Sequence, residues 1–303
     1  IFGNNPNDKK EVITMTNNFT PAKAGQQSKR LSKEEYAEKM KAEKEAVYQM
    51  ADDTAKAIVS DPEKFKAFLD TQSRLDRYSA VNALLIFKQL PEASQLKNFD
   101  DWSKDNVKIQ KGAKSISILE PVEYAKKDGT TGISYNVKKV FDIAQTDAKR
   151  QPQIHYDDRL LLSALISKRP VPIEMAENVP NGAAYDYDRR TVIVQRGMDG
   201  QDLFRCVSLA MARAELDQTE HADPQADAFR GYCVSYMLCR KYGVDARGYD
   251  FSRLPESLRD ADSQTIRSEL TDIRDTLQTM TGRMERALEQ SRAAAQKNVR
   301  KER

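Results

Sequence analysis

Three hydrogen-bonding side chains share one line of an otherwise apolar segment. Tyr78, Asn82 and Gln89 fall within roughly 40° of one another on a helical wheel of about 100° per residue. From residue 75 to residue 89, nearly every turn carries Leu, Val, Ile or Phe. A helix that is apolar on nearly every side is buried, and buried polar groups need hydrogen-bond partners. Those partners are either backbone groups of the same domain or a bound ligand, and the sequence leaves both interpretations open.

A cluster of lysines follows, close to the single tryptophan of the chain. Lys108, Lys111 and Lys114 surround Gly112, a short distance after Trp102. A glycine turn flanked by lysines can present backbone N–H groups and ammonium groups to phosphate, and an aromatic ring gives a base a surface for stacking. This combination predicts binding of single-stranded nucleic acid. The alternative role of Trp102 is to fill the hydrophobic core.

The predicted DNA-binding residues fall into three chemical groups. Tyr78 and Trp102 are the stacking candidates, and Asn82 and Gln89 are the hydrogen-bonding candidates. The segment from 64 to 150 carries more Lys and Arg than Asp and Glu, which favours contact with phosphate. The candidates for neutralising phosphate are Arg74, Arg77, Lys108, Lys111, Lys114 and Lys138.

The elements that must position these residues follow an α+β pattern. Apolar spacing and start signals predict helices, then two strands that form a hairpin around Asp128 and Gly129, then a second series of short strands and helices. The predicted helices span 32–60, 62–75, 75–89, 99–104, 157–168, 201–216 and 223–242. The predicted strands span 115–122, 135–143, 171–174, 183–187 and 191–195.

Catalytic chemistry has little support in the sequence. The chain has two histidines, His155 and His221, so it lacks an HExxH zinc motif, and it lacks the Gly-rich phosphate loop ending in Lys-Ser/Thr. Neither histidine follows a recognisable nucleophile motif. We therefore predict a protein without enzymatic activity, metal or other cofactor. The remaining alternative is an atypical metal site in which His221 joins the nearby carboxylates at 217, 220, 223 and 227.

Composition limits the class of protein. The chain of 303 residues has room for two domains with extensions, and its net charge is +3. It lacks an apolar run long enough to span a membrane and the pattern of a signal peptide. Three cysteines without CxxC spacing indicate reduced thiols in a cytoplasmic protein. The sequence begins with Ile1, so we expect a fragment of a longer chain.

The C-terminal segment has the spacing of a coiled-coil seam. The apolar residues Ile266, Leu270, Ile273, Leu277, Met280 and Met284 are separated alternately by four and three residues. This seam either folds back onto its own domain or mediates self-association or docking on a protein partner.

An ordered set of residues between 78 and 146 resembles the N-terminal domain of the ArdC-like antirestriction proteins, which are related to the LtrC-like conjugation proteins. Conjugative plasmids and transposons carry this family. The resemblance implies that this domain binds single-stranded DNA and that a zinc metallopeptidase-like domain follows it. The matching residues are Tyr78-Ser79, Asn82, Leu84-Leu85-Ile86, Gln89-Leu90-Pro91, Ala93, Phe99, Trp102, Val107, Lys111-Gly112, Ile116, Ile118-Leu119, Pro121, Val140-Phe141-Asp142 and Gln145-Thr146.

The second half of the chain resembles the zincin-like domain of the same family without its metal ligands. By this resemblance, Leu209, Ala210 and Arg213 occupy the positions of the His, Glu and His of the motif. Tyr232 occupies the position of the acidic ligand on the next helix. None of these side chains can hold zinc in the usual way. The resemblance therefore implies a catalytically inactive peptidase-like domain.

These observations predict five segments and three alternative functions. Residues 1–31 are expected to be flexible, 32–147 to form the DNA-binding domain, 148–155 a linker, 156–255 the zincin-like domain and 256–303 a long helix. The leading hypothesis is a single-stranded DNA-binding protein of a conjugative element, acting in antirestriction or transfer. The second is a protein-binding adaptor that uses the C-terminal helix and the peptidase-like domain. The third is a metallopeptidase with an atypical metal site.

Overall fold

The computed structural model describes residues 32–126, 128–150, 152 and 154–301. The predicted flexible segment 1–31 lies outside these residues. By their contacts, Ile1–Met40 and Lys41–Arg303 form two separate units. The described residues form a mixed α+β structure with small sheets, which confirms the predicted fold class. No helix in the described part of the chain combines the length and the apolar character that a membrane span needs.

Most predicted elements appear close to their predicted bounds. The α-helices are α1 (Lys33–Val59), α2 (Pro62–Arg74), α3 (Ala80–Gln89), α4 (Phe99–Lys104), α5 (Asp158–Ile166), α6 (Gly200–Leu216), α7 (Pro224–Tyr242), α8 (Glu256–Arg259) and α9 (Ser263–Lys301). The strands are β1 (Leu96–Lys97), β2 (Ile116–Ala125), β3 (Thr131–Asp142), β4 (Ile173–Ala176), β5 (Ala183–Asp186) and β6 (Thr191–Gln195).

The helix expected over 75–89 begins five residues later, because its start signal is Ser79. The Ser79 side chain accepts a hydrogen bond from the backbone N–H of Asn82, as an N-cap does. Residues 75–79 form a turn instead, in which the Tyr78 N–H donates to the Leu75 carbonyl. Tyr78 therefore precedes the helix, and only Asn82 and Gln89 lie on it.

Two small sheets organise the two halves of the chain. In the first sheet the strand order is β1-β3-β2, and all pairs are antiparallel. The β2–β3 hairpin pairs Ile116 with Val140 at its buried base and Ala125 with Thr131 near its tip. In the second sheet the order is β4-β6-β5, with β4 parallel and β5 antiparallel to β6.

The largest hydrophobic core joins parts of both predicted domains. It contains Phe68 of α2 and Leu84 of α3 together with Tyr236 of α7 and Met280 of α9. The seam of α9, from Ile266 to Met284, is at most 2% exposed and packs against α3, α5, α6 and α7. The seam therefore packs within the chain, and these residues leave no exposed apolar face for self-association.

Candidate nucleic-acid interface

Asn82 and Gln89 are hydrogen-bonded to the backbone of strand β2. The Asn82 amide donates to the Leu119 carbonyl at 2.9 Å, and its oxygen accepts from the Leu119 N–H at 2.8 Å. Gln89 makes the same pair of bonds with Ser117, both at 2.9 Å. Because both ends of each amide are engaged, the prediction that these side chains bind DNA is replaced by a structural role.

These two amides close the free edge of the first sheet. β2 is an edge strand, and residues 117 and 119 direct their backbone groups away from β3. The next outward-facing residue is Pro121, which has no N–H to leave unpaired. The polar line on α3 therefore protects a strand edge, which is the first of the two readings that the sequence left open.

Tyr78, Asn82 and Lys138 lie around one shallow cavity of about 290 Å³. The Tyr78 hydroxyl donates to the Leu96 carbonyl at 3.4 Å, and burial raises the pKa of this phenol. Lys138 forms an ion pair with Glu120 across the hairpin. The cavity therefore brings three predicted residues together, but the charge of Lys138 is balanced by the neighbouring Glu120.

Trp102 belongs to the core and not to a stacking surface. Its side chain is only 2% exposed, and its indole N–H donates to the Phe141 carbonyl at 2.9 Å. The Lys97 ammonium group lies 5.0 Å from the centre of the ring. The prediction that Trp102 stacks on a base is therefore wrong on geometric grounds, since no face of the ring is free.

The segment 108–114, here called the lysine loop, presents unpaired positive charge. Lys108, Lys111 and Lys114 are all exposed, and none forms an ion pair with a carboxylate among the described residues. Gly112 adopts a φ of +85°, and a Cβ added there would meet nothing within 4 Å. The predicted glycine turn with its three lysines is thus present on the surface.

The backbone of the lysine loop is tied to the segment that follows β3. The Gln110 N–H donates to the Gln145 carbonyl at 2.8 Å, and the Gln145 amide donates to the Lys114 carbonyl at 2.8 Å. The Lys108 N–H donates to Asp147 at 2.9 Å. These bonds hold the loop in one conformation, so its lysines are presented from a fixed turn.

The two predicted arginines have different environments. Arg74 is half-buried and donates to the carbonyls of Pro91 and Ala93. Arg77 is largely exposed and pairs with Glu285 of α9 at 3.2 Å. Arg74 therefore combines an anchoring role with a charge that faces a groove, whereas Arg77 is a surface ion pair.

That groove has a volume of about 790 Å³, and six of the residues that line it are cationic. It lies between α2, the segment around 94–95, and the turn that follows α7. Asp245 is the one carboxylate among the described residues that line it. We call it the basic groove, and its cations are Lys66, Arg74, Arg150, Arg240, Lys241 and Arg247.

Sequence reasoning found only Arg74 among these six residues. The others come from segments that are far apart in the chain, from Lys66 on α2 to Arg247 after α7. The exposed rings of Tyr124 and Tyr135 on the outer half of the β2–β3 hairpin were also missed. Alternation along the strands could have marked these tyrosines, but no local signal identifies the groove.

The positions implied for a metal centre do not fit a metal ion. Leu209 and Arg213 of α6 face Gly231 of α7, since a Cβ placed on Gly231 would lie 3.6 Å and 3.1 Å from their side chains. The Tyr232 hydroxyl accepts a hydrogen bond from the Asp250 N–H at 2.6 Å. A permanently charged guanidinium and an apolar Leu cannot ligate a cation. The described residues contain no group of three or more His, Cys, Asp or Glu side chains placed to bind a metal.

Two of the carboxylates near His221 are engaged in other contacts. Asp217 accepts from the Tyr185 hydroxyl at 2.7 Å, and the fully buried Asp227 pairs with Arg230 at 3.1 Å. His221 itself is exposed, with its Nδ1 3.3 Å from Asp272 of α9. The arrangement favours a structural charge network between α7 and α9 over an atypical metal site.

Comparison with known proteins identifies the architecture. Neither a protein-family model nor a curated protein matches the sequence. Two crystal structures of the antirestriction protein ArdC from plasmid R388 do match. The metal-free structure superposes with a TM-score of 0.52 at 13% identity, covering 78% of this chain and 98% of that one. The Mn(II)-bound structure gives 0.53 at 11% identity, with 79% and 98% covered.

The chain has the ArdC fold. The predicted resemblance to the ArdC-like proteins is confirmed at the level of the fold, as a distant relationship with low sequence identity. One of the two ArdC structures contains Mn(II). In the present chain, the residues that the resemblance implies for the metal-ligand positions of the family are Leu209, Ala210, Arg213 and Tyr232. Only the Tyr232 hydroxyl has a possible ligand atom, and it already accepts the Asp250 N–H.

Proposed function

We propose that this protein binds single-stranded DNA and acts in antirestriction or in the transfer of a conjugative element, without catalysing a reaction. The observation that carries the proposal is the lysine loop, with three exposed lysines that have no acidic partner among the described residues. Ammonium groups without carboxylate partners can neutralise phosphate without first breaking an ion pair. The ArdC fold, found in an antirestriction protein of a plasmid, supports the biological setting.

The preference for single strands follows from the shape and chemistry of the surface. The region of the first sheet offers a fixed turn with lysines and exposed tyrosines on the hairpin. Bases of a single strand are free to stack on aromatic rings, whereas those of a duplex are already stacked. Tyr124 and Tyr135, which are 49% and 41% exposed, replace Trp102 as the stacking candidates.

The non-enzymatic part of the proposal is supported by the residues at the α6–α7 contact. Arg213 carries a fixed positive charge where the resemblance would place a histidine ligand, and Tyr232 is bonded to the Asp250 backbone. We infer that this domain acts as a scaffold. The alternative of an adaptor that binds a protein through the seam of α9 has less support, because that seam is buried within the chain.

The test is a fluorescence-anisotropy titration with labelled single-stranded and duplex oligonucleotides across a salt series. It compares the wild type with a Lys108→Ala, Lys111→Ala, Lys114→Ala variant. At about 0.7 per phosphate contact, losing three contacts lowers the slope of log K against log salt by about 2. A variant with alanine at Lys41, Lys56 and Lys64 is the control, since these exposed lysines lie on α1 and α2 and their loss changes the net charge equally.

Preferential single-strand binding with a lower slope only in the loop variant supports the proposal. Absence of single-strand binding by the wild type at low salt refutes it. Equal slopes in the loop and control variants would show that binding depends on overall charge and not on the lysine loop.

A further inference from the structure

The cations of the basic groove project from three different parts of the fold. Lys66 and Arg74 lie on α2, Arg150 follows the first sheet, and Arg240 and Lys241 lie in the last turn of α7. Cations near the end of a helix are favoured by its dipole, which explains part of this pattern. It does not explain why residues from α2 and from beyond the first sheet converge on the same space.

Two of the carboxylates that pair with these cations are buried within the protein. Asp142 is fully buried and lies 3.4 Å from Arg150, while Asp76 is 5% exposed and lies 2.9 Å from Lys241. Neither of these carboxylates lines the groove. The surface that a ligand would meet therefore carries six cations and one carboxylate, Asp245.

Arg74 lies close to two other positively charged side chains of the groove. Burial lowers the pKa of its guanidinium group, and the neighbouring Arg240 and Arg150 lower it further, against the attraction of Glu92 and Asp70. An anion in the groove would relieve this repulsion. A phosphate group is a suitable anion, because guanidinium groups bind phosphate with paired hydrogen bonds.

The groove offers charge but no stacking surface. Tyr236 is the one aromatic residue among the described residues that line it, and it is 1% exposed with its hydroxyl bonded to Asp70 at 2.7 Å. A ligand bound here is thus recognised through its phosphates and not through its bases. The volume of about 790 Å³ is within the range of ligand sites.

The basic groove and the lysine loop are connected by one short element. Ile143 lines the groove and begins the 3₁₀ helix Ile143–Gln145, whose last residue makes the bonds that fix the lysine loop. Three residues of chain span at most about 10 Å. A strand of a few nucleotides that leaves the groove on this side would therefore reach the lysine loop.

We infer that the basic groove is a binding track for the phosphate backbone of single-stranded DNA, so that the C-terminal half of the chain takes part in DNA binding. The inference rests on the proposed function and extends it from the first sheet to α7 and the turn after it. Lys66 and Arg247 are the residues best suited to substitution in a test. Lys66 has no ion pair among the described residues, and the Arg247 side chain is 92% exposed and pairs only with Asp245.

The test is a charge reversal, Lys66→Glu with Arg247→Glu, in the full chain. The matched control is Lys64→Glu with Arg189→Glu. Both residues lie outside the groove, are 58% and 54% exposed, and pair with nearby carboxylates as Arg247 does. Affinity for a labelled single strand of 20 nucleotides is measured across a salt series. The groove variant should bind at least about tenfold more weakly than the control, with a slope lower by about 1.4 for two lost phosphate contacts.

The outcomes separate this inference from the proposed function. If the wild type does not bind the strand, both fail. If the wild type binds and the lysine-loop variant is weaker, while the groove variant equals its control, only the groove inference fails. Pyrophosphate could raise the melting temperature of the wild type but not of the groove variant, while the groove variant binds the strand as tightly as its control. In that case the groove binds free phosphates and is not a site for the DNA strand. Single substitution of Arg247→Ala repeats the test if the double variant does not fold.

Discussion

Replacing Asn82 and Gln89 together by alanine should destabilise the first sheet without weakening DNA binding directly. Each amide satisfies one N–H and one carbonyl of β2, at Leu119 and Ser117, which are 5% and 9% exposed. Leaving a buried backbone group without a partner costs about 1–3 kcal/mol. Each substitution leaves two backbone groups without a partner, so we expect it to lower the free energy of unfolding by at least about 2 kcal/mol, and the double variant by at least about 4 kcal/mol.

Urea denaturation monitored by tryptophan fluorescence measures this effect. Trp102 is the single tryptophan and is bonded to strand β3, so its emission reports on the sheet that the two amides support. Gln49→Ala is the control, because the Gln49 amide is exposed and bonds only to Asp53 on its own helix. The control should change the free energy of unfolding by less than about 0.5 kcal/mol.

The isosteric variants Asn82→Asp and Gln89→Glu provide a second measurement. Each keeps an oxygen that accepts the strand N–H but loses the donor, and it places a carboxylate against the strand carbonyl. They should also destabilise the sheet. Unchanged stability in all these variants, combined with a loss of affinity for single-stranded DNA, would refute the structural role and restore the two amides as DNA contacts.

Three further predictions follow from buried groups. Trp102→Phe should lower stability by about 1–3 kcal/mol, measured by urea denaturation with circular dichroism, because its indole N–H is bonded within the core. Arg230→Ala should cost about 3–5 kcal/mol in the same assay, since it leaves the buried Asp227 carboxylate without its cation. Burial raises the pKa of the Cys239 thiol to about 11. Because burial disfavours the thiolate, the contribution of Cys239 to the free energy of unfolding is fully present below about pH 9 and is lost as the pH rises through 11. Unfolding free energies measured from pH 8 to 11 should therefore fall more steeply for the wild type than for Cys239→Ala, and parallel curves would contradict the assignment.

Local signals in the sequence determine most of the elements. Asp61 with Pro62 starts α2, Asp223 with Pro224 starts α7, and Gly243 ends α7 in a left-handed conformation, all through contacts within a few residues. The lysine loop is equally local, because Gly112 and three nearby lysines define it. Such features are predictable since both partners of each interaction lie in the same short segment.

Tertiary structure decided what the polar and aromatic residues do. The sequence shows that Asn82 and Gln89 share a line, but only the position of β2 shows that a strand edge satisfies them. The burial of Trp102 likewise depends on strand β3, about forty residues away. For each of these side chains, the local sequence is compatible with two roles. Contacts with distant segments determine which role the side chain has.

The basic groove is the clearest product of the tertiary structure. Residues as distant as Lys66 and Arg247 line it together, and no periodicity or spacing connects them. The seam of α9 shows the same principle, since its heptad spacing suits a partner helix equally well in the same chain or in another. The sequence by itself thus determined the α+β elements, the lysine loop and the resemblance to the ArdC-like proteins. Only the packing of α2, α7 and α9 decided which charges face a common space and which apolar face is already covered, because long-range contacts are set by the whole core.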